Sequence, residues 1–273
     1  MSSQYKLVAI DMDGTLLDND KKISAQNKAA IQAACNQNVR IVICSGRSYQ
    51  SLRFFAAEVG LKTKGNYVIA FNGGMLIDAY TDTVLQETKM DRVLALELVA
   101  AAKPFSATAA TIVYRDMSHI ILAKNPLTEP YVYSSRTIPI YTDDIASEIT
   151  GDIQKVMLAG QYADLQAPSE YLLQHFSNRC IMEFSGDFLF ECNEINTTKG
   201  NGMKALCNRL GIDMRETIAI GDNCNDISMI KEAGLGVCMA NGASEVKAAA
   251  DYITKNDCNH SGVAEVIEKF ILR

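Results

Sequence analysis

The chain has 273 residues, of which 48% are hydrophobic and 21% charged, with a formal net charge of −6 and a mean hydropathy of zero. That is enough for one large domain or two, and it carries no compositional sign of disorder. No stretch reaches the roughly 18 apolar residues of a membrane helix, Met1 to Lys6 lacks a signal-peptide core, and no basic block marks a nucleic-acid surface. A cytoplasmic protein with a small-molecule ligand, no nucleic-acid or membrane partner, and a monomeric or small homo-oligomeric state is expected.

Tyr5 to Ile10 is a short, β-branched, nearly uncharged run of the kind buried in parallel sheets. It breaks at Asp11-Met12-Asp13-Gly14-Thr15-Leu16, where two carboxylates stand two residues apart. Asp-Gly alone is a common turn pair. Two neighbouring acids at a strand end, however, repel each other and lose solvation, so they imply a cation, a proton, or both. Ser24 can cap a helix with Ala29, Ala30, Ile31, Ala33 and Ala34 at helical spacing. A second strand, Val39 to Cys44, ends in Ser45-Gly46-Arg47, and a helical run from Ser48 to Val59 follows. Tyr67 to Phe71 predicts a third strand, ending in Asn72-Gly73-Gly74. Strand, helix, strand, helix, strand is the order of a parallel sheet with right-handed crossovers.

From about Met75 the pattern changes to short alternating strands, Met75 to Ile77 and Thr83 to Leu85, followed by an Ala/Leu-rich helix from Arg92 to Ala102. The middle third holds all five prolines and most of the tyrosines, which suggests an inserted domain of mixed α+β type. The βα rhythm returns from Thr197, with helix 198–210, strand Thr217 to Ile220, a helix near Asp226 to Ala233, strand Leu235 to Met239, and helices around 243–250 and 262–271. The resulting division is core 1–83, insertion 84–190 and core 191–273. The eight cysteines form no C-x-x-C pair and sit without histidines at zinc spacing, so they are read as reduced thiols. The three histidines are scattered, and nothing marks them as ligands.

Four places of this reading carry polar residues at strand ends or a helix start: Asp11/Asp13, Ser45-Gly46, Lys199-Gly200, and Gly221-Asp222-Asn223-Cys224-Asn225-Asp226. Ends of parallel strands share one sheet edge, so these residues can meet. Each alone has a plain alternative: Ser45 as a helix N-cap, Asp222 or Asp226 as a cap or turn residue, Lys199 as a surface charge. Their order and spacing point to one site.

Together these segments resemble the haloacid dehalogenase-like superfamily, and within it the Cof-like phosphatases with a subclass IIB cap, over nearly the whole chain. The resemblance implies an α/β fold, a Rossmann-like doubly wound parallel sheet core with an inserted α+β cap domain. It also implies a phosphoric monoester hydrolase with Mg²⁺ as cofactor and small phosphorylated metabolites, sugar phosphates or related monoesters, as substrates. By this resemblance Asp11 is the nucleophile that forms an aspartyl-phosphate, and Asp13 is the acid and then the base. Mg²⁺ sits between the Asp11 carboxylate, the Asp13 backbone carbonyl and the Asp222 carboxylate. Lys199 holds Asp11 and the phosphoryl oxygens, and Asp226 supports the site by pairing with Lys199. Ser45, the Gly46 N–H and Asn225 bind the phosphoryl group. Asn72 belongs near the leaving group or to a turn before the cap, and Arg47 to substrate or to a structural ion pair. Arg115, His119, Arg136, His175 and Arg179 are polar candidates on the cap. Phosphosugar mutase chemistry on the same core, and a non-catalytic binder or phospho-aspartate receiver, are the competing functions.

Overall fold

The computed structural model describes residues 4–185 and 188–272; Met1 to Ser3, read above for signal-peptide character, lie outside them. The chain begins with β1 (Leu7–Ile10), α1 (Ala25–Asn36), β2 (Arg40–Cys44), α2 (Tyr49–Glu58), β3 (Tyr67–Ala70), β4 (Met75–Asp78), β5 (Thr83–Glu87) and α3 (Arg92–Ala102). Next come β6 (Ala110–Tyr114), β7 (His119–Leu122), α4 (Glu129–Ser135), β8 (Ile138–Tyr141), α5 (Ile145–Glu148), β9 (Lys155–Ala159), α6 (Tyr162–Phe176), β10 (Cys180–Phe184) and β11 (Leu189–Glu194). The last third is α7 (Lys199–Leu210), β12 (Thr217–Gly221), α8 (Ile227–Glu232), β13 (Leu235–Cys238), α9 (Ser244–Ala249), β14 (Tyr252–Ile253) and α10 (Gly262–Phe270). These elements form two compact units. The first takes the chain up to Gly46, Leu52–Gln86, and everything from Thr198 onward; the second takes Arg47–Ser51 and Glu87–Thr197.

The first unit is built on an eight-stranded sheet in the order β14-β13-β12-β1-β2-β3-β4-β5. The pairs from β14 through β3 are parallel. All four residues of β1 are buried, as are all five of β12, which is why both read as continuous apolar runs. Leu7, Ala9, Val42, Cys44, Ile69 and Ala219 pack in one cluster with Met203, Leu206 and Cys207 of α7 and Met229 and Ile230 of α8. Alternation sends Val8, Ile10, Ile41 and Ile43 to the opposite face. Ser24 caps α1 as expected, accepting from the Asn27 amide at 3.1 Å, and the buried Asn27 carboxamide accepts from Ala264 N at 2.9 Å, tying α1 to α10. The change of pattern at Met75 is a reversal of direction within the same sheet, since β4 runs antiparallel to β3 and β5 follows it at the edge. β14, two residues long, carries no readable period.

The second unit has a six-stranded sheet in the order β10-β11-β9-β6-β7-β8, antiparallel throughout except for the parallel β7–β8 pair. One face is apolar: Val113, Ile121, Val156, Leu158, Cys180, Phe190 and Cys192 pack with Leu94, Ala95 and Leu98 of α3 and Leu165 and Leu172 of α6. Asp91 caps α3 through the amides of Val93 (2.8 Å) and Leu94 (3.3 Å). No helix among the described residues is long and apolar enough to cross a membrane.

Candidate active site

From β1 the chain steps outward through β2 to β3 on one side, then returns to β12 on the other side of β1 and steps outward through β13 to β14. The β1–β12 boundary is therefore a topological switch point, where open α/β sheets leave a crevice beyond the strand ends. Register levels those ends: Ile10 pairs with Ile43 on one side and with Ile220 on the other. Asp11, Ser45 and Asp222 consequently emerge at one edge. Asp11 N bonds to Ile220 O at 3.0 Å, and Ser45 N to Ile69 O at 2.9 Å.

Lys199 opens α7, whose cap is Thr198 through its bond from Asn201 N at 3.1 Å. A cation at a helix N-terminus opposes the helix dipole, so helix stability does not account for it. Its buried ammonium instead meets Asp11 Oδ1 and Asp226 Oδ1, each at 2.6 Å. Gly73, at φ +100°, lets the turn after β3 lie against the Thr198 carbonyl, where any Cβ would collide. This close approach brings the start of α7 to the strand ends.

The Asp226 carboxylate is fully engaged. Oδ1 takes Lys199, while Oδ2 accepts from the amides of Asp222 (2.9 Å) and Asn223 (3.0 Å) in a capping box. Asp222 Oδ1 accepts from Thr15 Oγ1 at 2.7 Å. Its Oδ2 lies against Gly14, where the +75° φ and the missing Cβ are both required. Oδ2 of Asp11 and Oδ2 of Asp222 accept no hydrogen bond among the described residues.

Carboxylate oxygens of Asp11, Asp222 and Asp226 lie within 4.8 Å of one another. Three ionised carboxylates against one ammonium leave an excess of two negative charges, and the donor set is oxygen only. Both features fit a hard divalent cation. The strain of the uncompensated cluster shows in its proton affinities. Burial, with repulsion from Asp226 and Asp222, raises the Asp11 carboxyl well above its usual range despite Lys199. Burial and then Asp226 push Asp222 up to about 6. Burial opposes the Lys199 charge, but Asp11 and Asp226 more than offset it and hold the ammonium protonated.

The remaining sequence candidates gather around this cluster to different degrees. Ser45 is buried and lies outside α2; the residue that bonds the helix's first turn is Ser48, whose Oγ accepts from Ser51 N at 3.4 Å. Gly46 packs against Asn72, whose Oδ1 would lie 2.8 Å from an added Cβ. Asn72 occupies the left-handed region at φ +54° in the turn after β3, bonds Ser45 O through its amide at 3.0 Å, and accepts from Asn225 Nδ2 at 3.2 Å. Asn72 is thus a turn residue, and its bonds tie the turn after β3 to Ser45 and Asn225. Arg47 Nη1 donates to Ser51 Oγ at 3.2 Å. The Asp13 side chain is 40% exposed and bonds Lys21 Nζ at 2.8 Å.

Sequence reading assigned no role to Thr15, Lys21 or Asn241, which orient these groups. Asn241 Nδ2 donates to Gly14 O at 2.8 Å and its Oδ1 accepts from Cys258 N, fastening the loop after β1. Its position just beyond the carboxyl end of β13 was the available signal. On the second unit, Arg136, His175 and Arg179 are exposed and Arg115 and His119 half-buried. All eight cysteines are free, six of them buried, as expected of thiols used as small hydrophobes.

Residues 8–267 match the model of the haloacid dehalogenase-like hydrolase family. The chain is 32% identical to "Putative phosphatase YxeH" of Bacillus subtilis (strain 168), covering 98% of this chain and 99% of that protein. It is 28% identical to 5-amino-6-(5-phospho-D-ribitylamino)uracil phosphatase YcsE of the same organism, covering 98% and 96%. A crystal structure of a haloacid dehalogenase-like hydrolase from Bacteroides thetaiotaomicron matches with a TM-score of 0.86 at 29% identity, covering 97% of this chain and 99% of that one. The chain belongs to the haloacid dehalogenase-like hydrolase family. It is an enzyme of that family's Cof-like phosphatase type.

Proposed function

We propose that the protein is a Mg²⁺-dependent phosphatase that hydrolyses small phosphorylated metabolites, sugar and polyol phosphates foremost, through an aspartyl-phosphate at Asp11. The observation that carries this reading is Asp11 itself: a buried carboxylate at the switch point, bonded to Lys199 through one oxygen, with the other oxygen unengaged among the described residues. Phosphate monoesters resist hydrolysis because their charge repels nucleophiles, so a site must supply both a nucleophile and counter-charge. Magnesium held by Asp11, the Asp13 backbone carbonyl and Asp222 would neutralise the phosphoryl oxygens.

The Asp11 carboxylate attacks phosphorus, the P–O bond to the leaving group breaks, and Asp13 protonates the departing alkoxide. Asp13 then takes a proton from the water that attacks the acyl phosphate, releasing inorganic phosphate and restoring Asp11. For this, Asp13 exchanges its bond to Lys21 for one to the leaving oxygen. Lys199 opposes the rise in the proton affinity of Asp11 and orients its carboxylate, with Asp226 fixing the ammonium from behind. Ser45, the Gly46 N–H and Asn225 bind the phosphoryl oxygens. The relative named for a ribitylamino phosphate acts on an ester with a polyol chain, which supports the substrate class. The free thiols support a reducing, cytoplasmic setting.

The test is phosphate release from a panel of phosphate esters with Mg²⁺ and with EDTA. Turnover in Mg²⁺ that disappears in EDTA and in Asp11→Asn is expected. Full activity under either condition would sink the mechanism.

A further inference from the structure

Thr15, Leu16 and Leu17 follow one another in the loop after β1, and all three side chains are buried. Packing alone would be served at position 15 by valine, which has the same shape and no hydroxyl to satisfy. The turn that carries Thr15 is closed by its own backbone: Thr15 N bonds Met12 O at 3.4 Å, Leu16 N bonds Asp11 O at 3.2 Å and Leu17 N bonds Met12 O at 2.8 Å. From the loop after β13, Asn241 Nδ2 holds Gly14 O at 2.8 Å. A β-branched side chain on a backbone fixed in this way has little rotamer freedom. Its Oγ1 is therefore aimed, and it donates to Asp222 Oδ1 at 2.7 Å across 207 positions of sequence.

The three clustered carboxylates are engaged unequally. Asp226 has neither oxygen to spare, because Oδ1 accepts from Lys199 and Oδ2 from the amides of Asp222 and Asn223. Asp11 gives Oδ1 to Lys199, and Asp222 gives Oδ1 to Thr15; the Oδ2 of each accepts no hydrogen bond among the described residues. A carboxylate that served only as a cap would, like Asp226, turn to backbone amides. Asp222 is held instead by a side chain. A hydroxyl-to-carboxylate bond is strong and directional, so it takes one oxygen of Asp222 and leaves the other against Gly14, where the missing Cβ makes room for it.

We infer that Thr15 is a positioning residue that limits Asp222 to one ligating oxygen and thereby makes the cation site prefer Mg²⁺ to Ca²⁺. This rests on the Mg²⁺-dependent reading above. Calcium accepts more ligands in a looser shell and commonly takes both oxygens of one carboxylate, whereas magnesium demands near-ideal octahedral geometry, keeps several waters and is bound through one or two carboxylates. With Lys199 on Asp11 and Thr15 on Asp222, each acid presents a single oxygen. Removing an outer partner of this kind lets the ligand turn and costs about 10–100-fold in metal affinity. An Asp222 freed from Thr15 can offer both oxygens, which suits calcium.

The experiment titrates the full-length protein, stripped with EDTA and dialysed, with MgCl₂ and with CaCl₂ by calorimetry and follows Tm in parallel, for wild type, Thr15→Val, Thr15→Ala and Thr15→Ser. Valine keeps the shape and alanine avoids bulk, but both lack the hydroxyl; serine keeps it. Both hydroxyl-free variants are expected to raise the Kd for Mg²⁺ by about tenfold or more and the Kd for Ca²⁺ by less, so that the ratio of the two constants moves toward Ca²⁺. Thr15→Ser is expected to keep the wild-type ratio. An unchanged ratio in Thr15→Val and Thr15→Ala overturns the inference. So does a shift of the same size in Thr15→Ser, since a packing defect would move that variant alike. A wild type that binds Mg²⁺ yet releases no phosphate from any ester overturns the phosphatase reading instead, and one that binds neither cation overturns both.

Discussion

At the carboxyl edge of the eight-stranded sheet, three carboxylates gather and two of them pair with one lysine, while in the six-stranded sheet Lys155 meets Glu191 one to one. Both arrangements are buried, so both lose hydration, but their charge balances differ. The first is left with negative charge that only something from outside the chain can offset, and its carboxyls respond by holding protons. The second pairs its lysine with its glutamate, and among the described residues the carboxamide of neighbouring Asn193 has no hydrogen-bond partner. Uncompensated charge suits a site that gathers a cation and a phosphoryl group.

The sharpest way to break this contrast is Asp11→Asn, which is expected to lower phosphate release by about four orders of magnitude or more, as loss of a nucleophile does. Activity within tenfold of wild type would remove Asp11 from that role. Stability separates the two lysines next. Lys199→Met and Lys155→Met are each expected to cost about 3–5 kcal/mol in denaturant unfolding, since each strands buried carboxylate. Adding Glu191→Leu to Lys155→Met should restore stability to within about 1 kcal/mol of wild type. Adding Asp226→Leu to Lys199→Met should not, because Asp226 also holds the amides of Asp222 and Asn223. Equal rescue in both pairs would erase the distinction.

Ligation by a dication gives a smaller effect. Saturating Mg²⁺, at about 100 times its Kd, should stabilise the protein by about 2.7 kcal/mol. The shift should reverse in EDTA and be absent in Asp222→Asn; a shift that survives Asp222→Asn places the ion elsewhere.

The smallest expected effect is on pH. Asp222 holds its proton more tightly in the folded chain, up to about pH 6, than a carboxyl does at its ordinary 3.8. Between those values the folded state binds more protons than the unfolded one, so metal-free stability falls as pH rises from about 4 through 6, by about 2 kcal/mol. Asp222→Asn should make that slope shallower in EDTA, the Asp11 carboxyl keeping its own share. A metal-free protein that gains stability over the same window would contradict the assignment.

Much of this was legible in the chain. β1, β2, β3, β12 and β13 were readable because strands buried on both faces are short uninterrupted apolar runs, and Ser24 announced α1 because a cap is a local feature. The set was legible as such: Asp11, Ser45 and Asp222 each follow a parallel strand, Lys199 opens a helix, and a parallel sheet brings such ends to one edge. Less readable were β4 and β5, whose alternation looked like the start of a new domain although they extend the old sheet. Strand direction leaves no mark in a period of two.

The sequence by itself determined which polar side chains follow the buried strands and open α7, because side-chain type and place within an element are properties of short segments. Only the tertiary structure decided how those groups divide their bonds. Asp226 is saturated by Lys199 and two backbone amides, Thr15 turns one oxygen of Asp222 away, and Lys21 holds Asp13. It also decided that Asn193, unremarkable in the chain, lies beside Lys155 with its carboxamide unbonded among the described residues. Such facts depend on register and on contacts between residues up to 207 positions apart, and charge balance and hydrogen-bond satisfaction are properties of neighbours in space.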